Sequence, residues 1–326
     1  MAQNMSTPNE LLDVSDNRFV LHPIKHPDIF EMGKKAIASF WQVEELDFNN
    51  DVQEFQRMSD DERHFVLQIL AFFASADGIV IENLVENFCA EVQLPEARYF
   101  YSYQSFNEQI HSETYARLLQ VYAGDGVTEL LKEAQASPPV IAKTEFAKKH
   151  FDIDEPDPHK SFAKRLIAFA CVEGINFSAS FCGIYWVSSR KYECRALTLS
   201  NEFIARDEGS HRDFAIKLYN KFMHNLTDEE ITDIVKESVA VEEVWVKHAL
   251  PESLTGMNQA LMIQYVRFTA DSLLLALGAP AYYNAQQPFA FMDMISAEGK
   301  TNFFERRVSE YALSSASEEF NIDADF

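Results

Sequence analysis

The chain has 326 residues, enough to bury a sizeable core, and a formal net charge of −23. A surface that acidic repels phosphate backbones and anionic bilayers, which argues against nucleic-acid and membrane partners. With only 10 glycines and 11 prolines against 27 phenylalanines, the composition points to an all-α fold with an aromatic core.

In chain order, residues 1–20 are polar and read as a flexible N-terminal tail. The two prolines of residues 21–29 (LHPIKHPDI) mark an extended arm, followed by a helical pattern from about Phe30 to Trp41. Ser59-Asp-Asp-Glu62 has the spacing of a capping box and opens a long apolar-periodic run. Pro95 precedes a second long run reaching about Tyr122, and Gly124-Asp-Gly126 breaks it. Shorter helices fill residues 127–149, and residues 151–158 read as a loop. Two more long helices cover roughly 160–187 and 190–224. A second capping box, Thr227 to Glu230, starts a helix ending near His248, and a last helix spans about 256–277 before Gly278-Ala-Pro280. From Ser309 the chain is again polar. The simplest division is one helical domain, residues 21–308, with flexible tails at 1–20 and 309–326.

The four cysteines (Cys89, Cys171, Cys182 and Cys194) form no C-x-x-C pair and sit in apolar helix-like runs, so a disulfide framework is not expected. No secretory pattern opens the chain, and no apolar run of membrane-spanning length lacks a charge. The expectation is a soluble cytoplasmic protein.

Each of the four longest helices carries a carboxylate where its apolar pattern predicts burial. Asp77 follows AFFASA on the face of Phe73 and Ile81, and Glu173 sits within LIAFACVEGINFSASF. The second helix contains Glu108-Gln-Ile-His111 and the fourth Glu208-Gly-Ser-His211. Both are E-x-x-H, whose i and i+3 side chains share a face and can grip one metal ion. Burying unpartnered carboxylates is very costly, and metal ions are among the few adequate counterions. Composition alone makes two E-x-x-H matches unremarkable. The order single acid, E-x-x-H, single acid, E-x-x-H over consecutive long helices is much rarer, and is the ligand inventory of dinuclear carboxylate proteins. Two imidazoles with four carboxylates suit iron, or manganese as the alternative metal. The competing reading makes Asp77 and Glu173 partners of buried Arg or Lys, and each E-x-x-H a hydrogen-bonded surface pair.

Tyr115 lies four residues after His111, on the same face and about one turn from the ligands. It reads either as a buried core tyrosine or as a phenol open to oxidation by the metals. Phe177 and Phe181 from the third helix and Ile204 from the fourth are the residues expected to wall its pocket, whether as a dry shield or as ordinary core.

Four segments resemble the small subunit of class I ribonucleotide reductase, most closely its eukaryotic and viral-like branch: Ala76-Asp77-Gly-Ile-Val80, Asn107 to Tyr115, Val172 to Phe181 and Ile204 to His211. The resemblance runs from about Arg18 to Phe326. It implies a ferritin-like bundle with a carboxylate-bridged di-iron site: Asp77, Glu108 and His111 on one iron, Glu173, Glu208 and His211 on the other, with Glu108 and Glu208 bridging. It further implies that O₂ serves to generate a stable tyrosyl radical on Tyr115. Trp41 and Asp207 would form the electron route beside His111. Tyr311 would pass the radical to the large subunit, and Asp323, Ala324, Asp325 and Phe326 would dock the tail there. The expected activity is therefore that of a ribonucleoside-diphosphate reductase, an oxidoreductase of deoxyribonucleotide biosynthesis for DNA replication, working as a homodimer together with the large subunit. The ligand set alone would equally suit a ferroxidase, a desaturase or a ligand-binding oxidase, or an assembly subunit that has lost its metal.

Overall fold

The computed structural model describes residues 9–14, 16–83, 87–153, 155–251, 254 and 256–292, without the side chains of residues 16, 17, 77, 79–81 and 83. The described α-helices are α1 (Pro27–Ala38), α2 (Asp51–Gln56), α3 (Asp60–Asn83), α4 (Cys89–Glu91), α5 (Pro95–Ala123), α6 (Val127–Ala136), α7 (Pro138–Phe151), α8 (Pro158–Cys171), α9 (Ser178–Ser188), α10 (Arg195–Leu218), α11 (Asp228–Ala249) and α12 (Gln259–Ala276). No strand occurs among the described residues.

The predicted helix starts are set by local chemistry. Ser59 and Glu62 exchange backbone and side-chain hydrogen bonds at 2.8 and 3.3 Å, and Thr227 and Glu230 do so at 3.0 and 3.2 Å, so both capping boxes form. Asp157 caps α8 by accepting from the His159 and Lys160 amides. Other boundaries differ from the sequence reading. α1 begins at Pro27, three residues early, because proline suits the first turn of a helix. The shorter helices expected over 127–149 are two, α6 and α7, which meet at Ser137, where Pro138 starts α7. α10 begins at Arg195 rather than near 190 because its cap comes from a distant element: Asp51, fully buried on α2, accepts from the Ala196 and Leu197 amides at 3.2 and 3.1 Å and from the Tyr122 hydroxyl at 2.7 Å. Asp51→Ala is expected to lower unfolding free energy by about 2–4 kcal/mol, since three buried donors lose their acceptor. The denaturation midpoint checks this; an unchanged midpoint would show that the cap contributes nothing.

The predicted 160–187 helix is continuous but not uniform. α8 and α9 are joined by a π-helical turn, Val172–Asn176. The whole segment Pro158–Ser188 is long and apolar enough to cross a membrane, but 94% of its most apolar stretch is buried inside the protein, so it is the central core helix. α3 packs on α5 and α9, while α10 packs on α5, α8 and α9, so these four rods form a bundle. α11 lies outside α7 and α8, α12 packs along α11, and α1 lies on α5. Close approach is helped by two glycines: a Cβ on Gly183 would sit 2.8 Å from Ile69 and Phe65 of α3, and one on Gly174 would sit 2.7 Å from the Arg212 stem of α10. The core is aromatic as composition predicts. Phe100 of α5 and Phe214 of α10 stack at 3.7 Å between ring centroids.

Candidate metal centre

Three glutamates and two histidines meet inside the bundle. Glu108 and His111 come from α5, Glu208 and His211 from α10, and Glu173 from the π turn. All five are at most 3% exposed. Ligand atoms of Glu108, Glu173, Glu208 and His211 lie within 4.8 Å of one another. Both E-x-x-H pairs point inward as helical phase requires. Glu173 enters from a widened turn, the kind of insertion that occurs often at functional sites. Its carboxylate accepts a 3.3 Å hydrogen bond from Gln104, one turn before Glu108 on α5.

The two α-helical glutamates cross between the two imidazoles. Nδ1 of His111 is 3.2 Å from Glu108 Oε2 and 2.9 Å from Glu208 Oε1. Nδ1 of His211 is 2.9 Å from Glu108 Oε1 and 3.2 Å from Glu208 Oε2. Each carboxylate thus offers one oxygen beside each imidazole nitrogen. The described ion-pair partners of Glu108 and Glu208 are these two histidines, with no Lys or Arg among them. Electrostatics follow from this arrangement. Burial disfavours a charged His211, but Glu108 and Glu208 outweigh it and raise its pKa to about 9. Burial likewise opposes the charge on His111, yet Asp207, Glu108 and Glu208 hold it well above the ordinary value. For Glu208, burial raises the pKa, and the hydrogen bonds from Glu173, His111 and His211 more than reverse that. This is a buried cage of carboxylates and imidazoles whose inward-facing nitrogens and oxygens fit divalent cations of the iron or manganese type.

Behind His111 lies a hydrogen-bonded chain. Asp207 Oδ2 is 3.3 Å from His111 Nε2 and accepts from Trp41 Nε1 at 2.8 Å and from the Asn107 amide at 3.2 Å. Trp41 is fully buried, with its ring nearly parallel to that of His111. Arg206 donates to Asp207 Oδ1 at 2.7 Å and to the Ser39 carbonyl at 2.9 Å, tying the Trp41 segment to α10. Burial would raise the Asp207 pKa, but His111, Arg206 and Trp41 keep it below the usual value.

Tyr115 is buried, and its ring stacks on Phe73 of α3 at 4.6 Å. Phe73 in turn touches Phe181 at 5.0 Å and Phe177 at 5.8 Å, and Ile204 is fully buried on α10. Phe177 and Phe181 therefore approach the tyrosine by way of Phe73, which sequence reading singled out only as a neighbour of Asp77. Gln104, Asn107 and Arg206 also escaped that reading. Gln104 lies one turn before Glu108 and Asn107 one turn before His111 on α5, the one signal that could have found them. Asp77 lies within α3, but its side chain lies outside the described residues, as do Tyr311, Asp323, Ala324, Asp325 and Phe326 entirely.

Residues 18–288 match the family model described as "Ribonucleotide reductase, small chain". The chain is 47% identical over 327 residues to the ribonucleoside-diphosphate reductase small chain of Nicotiana tabacum, covering 97% of this chain and 98% of that one. Among solved structures, the ribonucleotide reductase Rnr4 homodimer from Saccharomyces cerevisiae superposes with a TM-score of 0.80 at 33% identity, covering 93% of each chain. The dimanganese(II)-NrdF of Streptococcus sanguinis shares the fold, with a TM-score of 0.74 at 15% identity over 87% of this chain and 98% of that one.

Proposed function

This chain belongs to the ribonucleotide reductase small-chain family, and from that premise we propose which of its residues hold the metals and which hold the radical. It is the radical-generating small subunit of ribonucleoside-diphosphate reductase, the oxidoreductase that reduces ribonucleotides to deoxyribonucleotides. Asp77, Glu108 and His111 would hold one iron, and Glu173, Glu208 and His211 the other. The single observation that carries this reading is the crossing of Glu108 and Glu208 between the two Nδ1 atoms, which puts one oxygen of each carboxylate beside each imidazole. When bound, an iron pair would supply O₂-dependent oxidising power for a nearby phenol.

The remaining work falls to the protein. Tyr115 presents that phenol one helical turn from His111, and the stack on Phe73 backed by Phe177 and Phe181, together with the buried Ile204, serves to keep water and reductants away. Asp207 orients the His111 ring through Nε2 and accepts the Trp41 indole N–H, so Trp41 is joined to the metal ligand by two hydrogen bonds. Arg206 supports the negative charge on Asp207. The oxidising equivalent then runs through Trp41 and Tyr311 to a cysteine of the large subunit. Residues 309–326 form the tail, docking through Asp323, Ala324, Asp325 and Phe326, while residues 21–308 form the helical domain of a cytoplasmic homodimer.

The test is anaerobic loading of the metal-free full chain with Fe(II), followed by O₂ and EPR. Two irons per chain and a tyrosyl doublet are expected. Fewer than two metals bound, or no doublet, would sink the reading, and a doublet obtained only with Mn(II) would reassign the metal. Removing residues 320–326 is expected to leave the doublet and abolish nucleotide reduction with the large subunit; retained reduction would refute tail docking.

A further inference from the structure

The bundle holds a second buried charged group that the mechanism above does not use. Lys143 of α7 and Glu242 of α11 pair at 2.6 Å, 6% and 0% exposed. The Lys143 ammonium also lies 3.7 Å from the centre of the Phe72 ring and 4.8 Å from that of Trp245. Both partners reach the same place on the core helix, the junction between the π turn Val172–Asn176 and α9. Lys143 donates to the carbonyl of Asn176, and the other oxygen of Glu242 accepts from the Ala179 amide at 3.2 Å. Nearby, the Ser178 hydroxyl donates to the Ile175 carbonyl at 2.7 Å, and Ser238 of α11 donates to the Asn176 side chain at 2.7 Å.

These contacts answer a definite physical need. A π turn interrupts the regular hydrogen-bond ladder, so backbone groups at its exit lack their α-helical partners and must find others in a dry interior. At this junction side chains from α7 and α11 supply them. A small apolar pocket lined by Phe72, Val140, Lys143, Val172, Asn176 and Phe177 lies against the turn on that side. Burial disfavours both charges, moving Lys143 down to about 8 and Glu242 up to about 7, so this pair is costly to keep and is poorly explained as a stabiliser.

We propose that Lys143 and Glu242 are positioning residues: they fix the π turn and thereby the register at which Glu173 enters the metal centre and Phe177 enters the aromatic shield of Tyr115. The inference rests on the reading of Glu173 as a metal ligand. The two elements that carry the pair, α7 and α11, contribute no ligand, so the pair acts on the centre through its neighbours, and its hydrogen bonds fall at the exit of the turn that carries Glu173.

The experiment is anaerobic titration of the metal-free full chain with Co(II), reading the two binding steps and the visible absorption bands of each site. Wild type is compared with Lys143→Met, Glu242→Gln and the double variant K143M/E242L, with the melting point of each metal-free protein recorded. One binding step is expected to weaken by about 10–100-fold with altered bands, while the other stays within about two-fold. The double variant is decisive. It removes both buried charges, so its metal-free melting point should match or exceed wild type, yet the weakened step should persist because the turn has lost its partners. Two wild-type-like steps in a folded double variant would overturn the proposal. Equal weakening of both steps, in parallel with melting point, in every variant would also overturn it by making the pair a fold element only. Wild type binding fewer than two Co(II) would instead overturn the metal-centre reading on which the proposal rests, so the two failures are distinguishable.

Discussion

Tyr115→Phe is expected to abolish the tyrosyl EPR doublet after iron loading and O₂ exposure, and with it nucleotide reduction, while leaving two metals bound per chain. The substitution removes one hydroxyl from a buried ring. The stack on Phe73 at 4.6 Å depends on the ring and survives. The ligand pairs on α5 and α10 do not contact each other through Tyr115, so their crossing arrangement is kept. Unfolding free energy should change by no more than about 1 kcal/mol, the scale of one hydrogen-bonding group. The combination matters more than the lost signal: a variant that loses the doublet together with its metals has lost the site. A doublet of full intensity in Tyr115→Phe would place the radical elsewhere among the 12 tyrosines.

How much of this centre was legible in the sequence varies by residue, for identifiable physical reasons. Glu108 with His111 and Glu208 with His211 were legible because a helix converts i, i+3 spacing into a shared face without help from the rest of the fold. The two capping boxes were legible for the same reason, being complete within four residues. Glu173 was legible as a misplaced charge, but the turn that delivers it was not. Nothing in Val172–Asn176 announces a π insertion, because its stabilising partners, Lys143 and Glu242, lie on other helices. The start of α10 was misplaced by about five residues because its cap, Asp51, is more than 140 positions away. Phe73 as the stacking partner of Tyr115 and Arg206 as the brace of Asp207 likewise depend on tertiary proximity. Trp41 and Asp207 entered the sequence reading only by family resemblance, since 166 residues separate them; the structure joins them with one 2.8 Å hydrogen bond.

That hydrogen bond makes the second large effect predictable. Asp207→Asn is expected to reduce nucleotide reduction by about 100-fold or more while the metals still load and the doublet still forms. The carboxylate has three tasks: it accepts from Trp41 Nε1, it faces His111 Nε2, and it neutralises Arg206. An amide keeps the shape and one acceptor oxygen but loses the negative charge, and its NH₂ cannot accept from either ring. A relay that moves an electron with a compensating proton shift then fails, and positioned proton transfer is worth about 10²–10⁴ in rate. Trp41→Phe removes the other end of the same bond and should cause a comparable loss. Because the two residues act as one unit, the double variant should be little worse than either single one, whereas independent contributions would multiply. Reduction assays with the large subunit, normalised to the EPR doublet of each preparation, separate relay from radical formation. Full specific activity per radical in Asp207→Asn, or multiplicative losses in the double variant, would remove Trp41 and Asp207 from the route and leave their hydrogen bond as a feature of the core.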